Sequence, residues 1–315
     1  MTNQQHDYGP IAIYRSKYLI ITVFGLLVGL GFFLAAIHAW FYLGLKSSQY
    51  QIHQILILGF RLSISIPIGA YLMSRALDMG RLFRGEITLP AFFRIPGFAL
   101  WGGLFSGIIT ILATAHQFNW ESLFIFDAAV FGLPLAQMFG RIGCLNYGCC
   151  HGRPHGGRWS IKYQNTESKV IRTYAHLRGI DLYPTQVYSG LANLGIYLII
   201  ISLVILFPAA EKGLLTSVYL ILYGLKRYII EFFRGEFPRT SFLGLSLWQW
   251  FSLGFIASGI ILGLSLMNPF FGSPTRYFYL SDGFSMVLVL TPMTLLATSI
   301  ITFIYSLHGK RIGNW

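Results

Sequence analysis

The chain has 315 residues, of which 55% are hydrophobic and 17% aromatic, only 11% are charged, and the formal net charge is +12. Ordinary soluble domains carry about 25% charged residues, and one this poor in charge would expose large apolar patches and aggregate, so a bilayer is the solvent the composition demands. The positive balance does not make a nucleic-acid binder, because the basic residues lie in short loops and inside apolar runs rather than in one soluble basic domain; membrane topology and anionic lipid account for it.

A polar N-terminus, residues 1–17, comes first. Apolar runs of spanning length then follow near 18–45, 52–75, 97–115, 122–140, 184–208, 213–233, 245–267 and 284–307. Each approaches the roughly 20 residues that a helix needs to cross about 30 Å of hydrocarbon. Backbone groups in hydrocarbon must pair internally, and no repeated ten-residue alternation suggests a barrel, so the runs read as helices. The first is too long for a cleaved signal peptide and is read as a retained helix. Residues 18–267 form the expected membrane core, with a polar stretch at about 141–183 large enough for a small lobe, and 268–315 hold an extra C-terminal helix and tail. Pro184 marks the start of the helix after the lobe. The expected fold is all-α: a polytopic membrane helical bundle of about seven or eight transmembrane helices with a small extramembrane lobe.

A stretch carrying Arg75, Arg81, Arg84, Glu86 and Arg94 joins the second and third spans. Eight spans put sixteen basic residues on the N-terminal side against Lys46, Lys212 and Arg276 opposite. By the positive-inside rule that side faces the cytoplasm, unless the arginines belong to a lipid-binding site.

The strongest chemical signal is in the sixth span, LYGLKRYIIEFFRGE. Tyr223, Arg227, Glu231 and Arg234 recur at helical spacing and fall within an arc of roughly 80° at about 100° per residue. An unpaired Arg at a helix centre costs about 2.5–3.5 kcal/mol on insertion scales. Pairing of Arg227 with Glu231 at i,i+4 offsets part of it. A structural ion pair is the plain reading; a polar site is favoured because Arg and Tyr join the same stripe.

The second signal is the run GRIGCLNYGCCHGRP at 140–154. Its glycines allow tight turns with exposed N–H donors, and Arg141 and Arg153 offer the planar fork that fits phosphate. Cys144, Cys149 and Cys150 do not have the spacing of paired ligand hairpins, and adjacent cysteines rarely ligate one ion. A packed or reactive thiol cluster is expected instead, with no metal and no cofactor. Arg61, Asp127, Gln137, Gln186 and Gln249 are each more often satisfied by hydrogen bonds between helices. Gly102 and Gly103 either let two helices pack closely or line the site.

Taken in order, GPIAI at 9–13, Gly102-Gly103, GRIG at 140–143, YPTQVY at 183–188, YGLKRYIIEFFR at 223–234 and LWQWFSLGF at 247–255 resemble the bacterial prolipoprotein diacylglyceryl transferases over about residues 9–267. The resemblance implies a multi-pass protein of the bacterial plasma membrane, with an outward N-terminus and a site facing the outer leaflet. The reaction it implies moves diacylglyceryl from phosphatidylglycerol to the lipobox cysteine of a prolipoprotein signal peptide, releasing glycerol phosphate. Arg227, Glu231, Tyr223 and His151 are then the expected catalytic residues. Arg141, Arg227, Arg153, Asn146, Gly102, Gly103 and Gln186 are the expected head-group contacts. Two positions depart from the family pattern: Trp101 stands where His is common before the paired glycines, and Cys144 where Asn follows GRIG. Other readings of the same residues are a phospholipid-dependent transferase with another acceptor, a transporter, or a non-catalytic lipid binder.

Overall fold

The structure, a computed structural model, describes residues 7–15, 20–45, 51–94, 100–207, 212–235, 241–267 and 280–309. The expected starts of the first and third spans, and Lys17, Lys46, Arg239, Arg276, Lys310 and Arg311 of the charge count, lie outside the described residues, as do the side chains of Arg94 and Trp101.

Two short strands, β1 (Ala12–Arg15) and β2 (Ile20–Thr22), pair antiparallel and lead into α1 (Val23–Leu45). Then come α2 (Ile52–Phe83), α3 (Leu89–Arg94), α4 (Leu100–Gln117) and α5 (Ser122–Tyr147). A lobe holding the short α6 (Lys169–Thr173) precedes α7 (Thr185–Leu206) and α8 (Leu214–Glu231). A small hairpin, β3 (Ser241–Phe242) and β4 (Leu245–Ser246), enters α9 (Leu247–Leu266), and α10 (Leu280–Gly309) ends the described chain. Among the described residues the protein is a helical membrane bundle, as the composition demanded. Six helices are long and apolar enough to cross a membrane: α1, α2, α5, α7, α9 and α10. The other two expected spans are α4 and α8, of 18 residues each. In α8 three of these are the charged Lys226, Arg227 and Glu231.

The helices run antiparallel in pairs, as their close contacts require. A Cβ on Gly102 of α4 would meet the Gly69 carbonyl of α2, and Thr110 Oγ1 donates to Ser65 Oγ at 2.8 Å. Further along the same crossing, Arg61 Nη1 donates to Thr114 Oγ1 at 3.1 Å. Gly102 and Gly103 therefore sit at the α2/α4 crossing, where missing side chains let two backbones touch. Gly224 of α8 abuts Ser252 and Ile256 of α9 in the same way, and α10 returns along α1, where Trp40 Nε1 donates to Thr294 Oγ1 at 2.9 Å. Side chains such as Ile261, Leu264, Leu288 and Leu296 remain 63–75% exposed, a face suited to lipid rather than water.

Asp127 shows how this bundle tolerates a carboxylate. It is fully buried in α5, accepts from Gly213 N (2.6 Å), Thr216 N (2.8 Å) and Thr216 Oγ1 (2.6 Å), and so caps α8 from a neighbouring helix. Orphan N–H groups and the positive end of the helix dipole meet the charge there. Two boundaries differ from the sequence reading. α2 continues through Arg75 and Arg81, about 48 Å at 1.5 Å per residue, so these arginines are helical rather than in a connecting stretch. Buried Arg75 donates to Phe92 O and pairs with Asp78 at 3.1 Å. α5 runs to Tyr147, so residues 141–147 are its last two turns and the lobe begins at Gly148, whose left-handed φ of 76° ends the helix. α7 begins at Thr185, directly after Pro184.

The lobe has its own small core of Tyr163, Val170, Ile171, Leu177 and Leu182. The N-terminal segment docks on it: Asp7 accepts from Gln164 N and Asn165 N (both 2.9 Å), and Arg15 pairs with Glu167 at 3.0 Å. The segment beginning at Asp7 and the lobe thus lie on the same side of the bundle.

Candidate functional site

α8 presents Tyr223, Arg227 and Glu231 on successive turns. Arg227 Nη1 pairs with Glu231 Oε2 at 2.5 Å, and its guanidinium lies 5.4 Å from the Trp248 ring centroid. Glu231, 2% exposed, also accepts from Ser246 Oγ at 3.3 Å. Ser246 is the N-cap of α9, where its hydroxyl and the Gln249 side chain form a reciprocal capping box. The start of α9 thereby fixes the Arg227–Glu231 pair. Arg234 is not on the helix. α8 ends at Glu231, and the backbone of 232–235 turns away to pair with the lobe.

That pairing is a backbone clasp. Arg153 N donates to Phe233 O (3.0 Å), Gly235 N to His151 O (3.1 Å) and Tyr183 N to Arg153 O (3.1 Å). Segment 151–155 therefore lies between the end of α8 and the residues that open α7. Arg153 is exposed and sits over the Tyr183 ring at 5.7 Å.

Arg141 lies on the last turns of α5, half-buried, its Cβ facing Gly190 of α7. Its guanidinium makes no hydrogen bond or ion pair among the described residues. Its charge is felt by Tyr223 and by the three cysteine thiols. Tyr223 is equally within electrostatic reach of Arg227, and Lys226 within reach of both Arg141 and Arg227. Lys226 is a further buried cation, outside the stripe of Tyr223, Arg227 and Glu231. It points inward, donates to Asn193 Oδ1 at 2.7 Å, and lies 4.1 Å from the Tyr223 ring centroid. Its 100° offset from Arg227 takes it off the helical stripe, and its partner, a buried Asn on α7, is set by tertiary packing and not by local spacing.

Other expected site residues are committed to structure. Asn146 Nδ2 donates to Tyr8 O (2.9 Å) and Pro10 O (3.1 Å), tethering the N-terminal segment, while its Oδ1 is buried without a partner. Gln186 Nε2 donates to Cys149 O at 2.9 Å and Thr185 Oγ1 to Cys150 O at 2.8 Å. Gly102 and Gly103 belong to the α2/α4 crossing. His151, 3% exposed, places Nδ1 3.0 Å from Gly152 O and its ring edge against Tyr174. With Nδ1 donating to that carbonyl, Nε2 carries the lone pair, and it is buried and unpartnered.

The glycines of GRIG are helical rather than a turn, and the chain bends only at Gly148 and at Cys150, whose φ is 55°. This brings the Sγ atoms of Cys144, Cys149 and Cys150 within 4.8 Å of one another. Hydrogen bonds from the Cys144 and Cys149 thiols hold the Cys150 thiol well below the ordinary range, with Arg141 and Arg234 adding to the effect.

A helical bundle with apolar flanks, and with Arg141, Lys226 and Arg227 gathered in its interior, defines a polytopic integral membrane protein. The sequence model of the prolipoprotein diacylglyceryl transferase family matches residues 10–265, and the chain belongs to that family. Over 167 residues it is 36% identical to a phosphatidylglycerol–prolipoprotein diacylglyceryl transferase of Clostridium tetani, covering 53% of this chain and 63% of that one. Similar enzymes of Clostridium perfringens and Finegoldia magna are 34% and 29% identical over 168 residues. The chain spans about three fifths of the length of these curated relatives, between 60% and 63%.

Proposed function

We propose that the protein transfers diacylglyceryl from phosphatidylglycerol to the lipobox cysteine thiol of a prolipoprotein in the bacterial plasma membrane, with the site open to the outer leaflet. The observation that carries this reading is Arg141: a half-buried guanidinium with no hydrogen bond or ion pair among the described residues, sharing the neighbours Tyr223 and Lys226 with Arg227. An anionic phosphodiester head group is the ligand such a set attracts.

In the reaction the acceptor thiolate attacks the glyceryl carbon that bears the phosphate ester. A C–S bond forms, the C–O bond breaks, and its electron pair leaves on glycerol phosphate. Charge builds on the phosphate oxygens, where Arg141 and Arg227 stabilise it. Glu231 holds the Arg227 fork in place, and Tyr223 is within electrostatic reach of both guanidiniums. The thiol proton passes to His151 Nε2, whose lone pair is left open by the Nδ1 hydrogen bond. Arg153 at the mouth of the clasp contributes to head-group attraction.

Purified protein supplied with labelled phosphatidylglycerol and a lipobox peptide is expected to yield a thioether-linked peptide and glycerol phosphate. Head-group release only with a different acceptor, or lipid movement without covalent change, would overturn the proposal. His151→Gln is expected to lower kcat at least about 100-fold, the scale of a lost general base, while KM for phosphatidylglycerol stays near wild type. An unchanged kcat would remove His151 from the mechanism.

A further inference from the structure

We propose that Cys144, Cys149 and Cys150 form a three-thiolate site for a thiophilic divalent cation of the zinc class, beside the anion site and separate from it. The transferase reading does not use these thiols; Arg141 borders both sites, and the metal test below reads the thiols alone.

The geometry is the first argument. Three sulfurs around one ion at about 2.3 Å lie about 4 Å apart, and the three Sγ atoms are within 4.8 Å of one another. Adjacent cysteines rarely ligate together because an extended backbone sends their side chains to opposite sides. Here Cys150 adopts φ 55°, a conformation that non-glycine residues enter at a cost and that turns its thiol back toward its neighbour.

The second argument is construction. The Cys149 carbonyl is held by Gln186 Nε2 and the Cys150 carbonyl by Thr185 Oγ1, both from the first turn of α7. Cys144 stands on α5, and the Gly148 and Cys149 amides both donate to its carbonyl (2.9 and 3.2 Å). All three sulfur-bearing backbones are thus fixed before any ion arrives, which lowers the ordering cost of binding. Charge is the third argument. Three thiolates and a divalent cation sum to −1, and the guanidiniums of Arg141 and Arg234 lie within electrostatic reach of Cys150 to offset it. Binding would displace protons from the thiols and pin the end of α5, where Arg141 sits three residues before Cys144.

The test uses full-length protein, purified in detergent under reducing, anaerobic conditions and titrated with Co²⁺. The expected result is a thiolate-to-metal charge-transfer band that saturates at one equivalent and is displaced by Zn²⁺. Cys144→Ser, Cys149→Ser and Cys150→Ser should each weaken binding more than about 100-fold, beyond the loss typical of an outer-shell partner. Should a variant fail to fold, maleimide labelling of the unmodified protein decides: Zn²⁺ is expected to protect all three thiols together. A missing band with all three thiols reduced, a band that survives any of the substitutions, or labelling indifferent to Zn²⁺ would overturn the proposal. So would mass-spectrometric recovery of a disulfide among the three as the purified state.

Discussion

At the scale of single residues, charges in this bundle divide by whether the structure supplies a counterpart. Asp127 is completely satisfied by the first turn of α8. Asp127→Ala is therefore expected to destabilise the protein by about 3 kcal/mol, several charge-assisted bonds being lost at once, with a clear fall in the detergent melting temperature. Asp127→Asn, which keeps an acceptor oxygen, should cost less. Arg227 is held by Glu231 and Trp248, yet its guanidinium is shared with the neighbourhood of Tyr223. Arg227→Lys keeps the charge and loses the planar fork. Turnover of phosphatidylglycerol is expected to drop at least about 100-fold, as for a lost transition-state donor, while membrane insertion and melting temperature stay near wild type. Wild-type turnover in that variant would sink the assigned role.

At the scale of elements, the helices pack where side chains are missing. The α2/α4 crossing leaves no room at Gly102, where an added Cβ would run into the Gly69 carbonyl and the Met73 side chain. Gly102→Ala is expected to cost about 1–3 kcal/mol through forced separation of the two helices. Gly195 of α7 faces open space. There the same substitution should stabilise by about 0.5–1 kcal/mol, since only backbone entropy changes. Parallel melting curves of the two variants make the comparison; equal effects would refute the packing account. The element that joins core to lobe is the clasp of 151–155 with 181–183 and 233–235, formed by backbone groups and therefore indifferent to most side-chain identities.

At the scale of the molecule, the described chain has two apolar cores, one in the membrane and one in the lobe. The extra C-terminal helix is part of the first: Met286 and Leu290 of α10 are buried with Trp40 and Leu43 of α1. A chain ending at Met267 is accordingly expected to melt at lower temperature and to expose Trp40, read as a red shift in tryptophan emission. An unchanged melting curve would make α10 an appendage. The N-terminal segment, tied to the lobe by Asp7 and Arg15 and to the end of α5 by Asn146, closes with the lobe the same end of the bundle at which Arg141 and Arg227 gather.

Much of this was legible in the amino-acid sequence, because hydrophobic length and helical spacing are local properties. The membrane setting, the order of the helices, the Arg227–Glu231 pair and the family could all be read from residues within a few turns of one another. The ends of elements were less legible. GRIG looks like a turn until tertiary contacts hold it helical through Tyr147, and Arg234 keeps helical spacing although the clasp ends α8 at Glu231. Partnerships between distant segments were not legible at all. Asp127 with Gly213, Lys226 with Asn193 and the three converging thiols depend on which helices cross and at what height. Those choices are made by packing over the whole bundle, so tertiary structure alone decided which polar groups are satisfied and which, like Arg141, are left without a hydrogen-bond partner among the described residues.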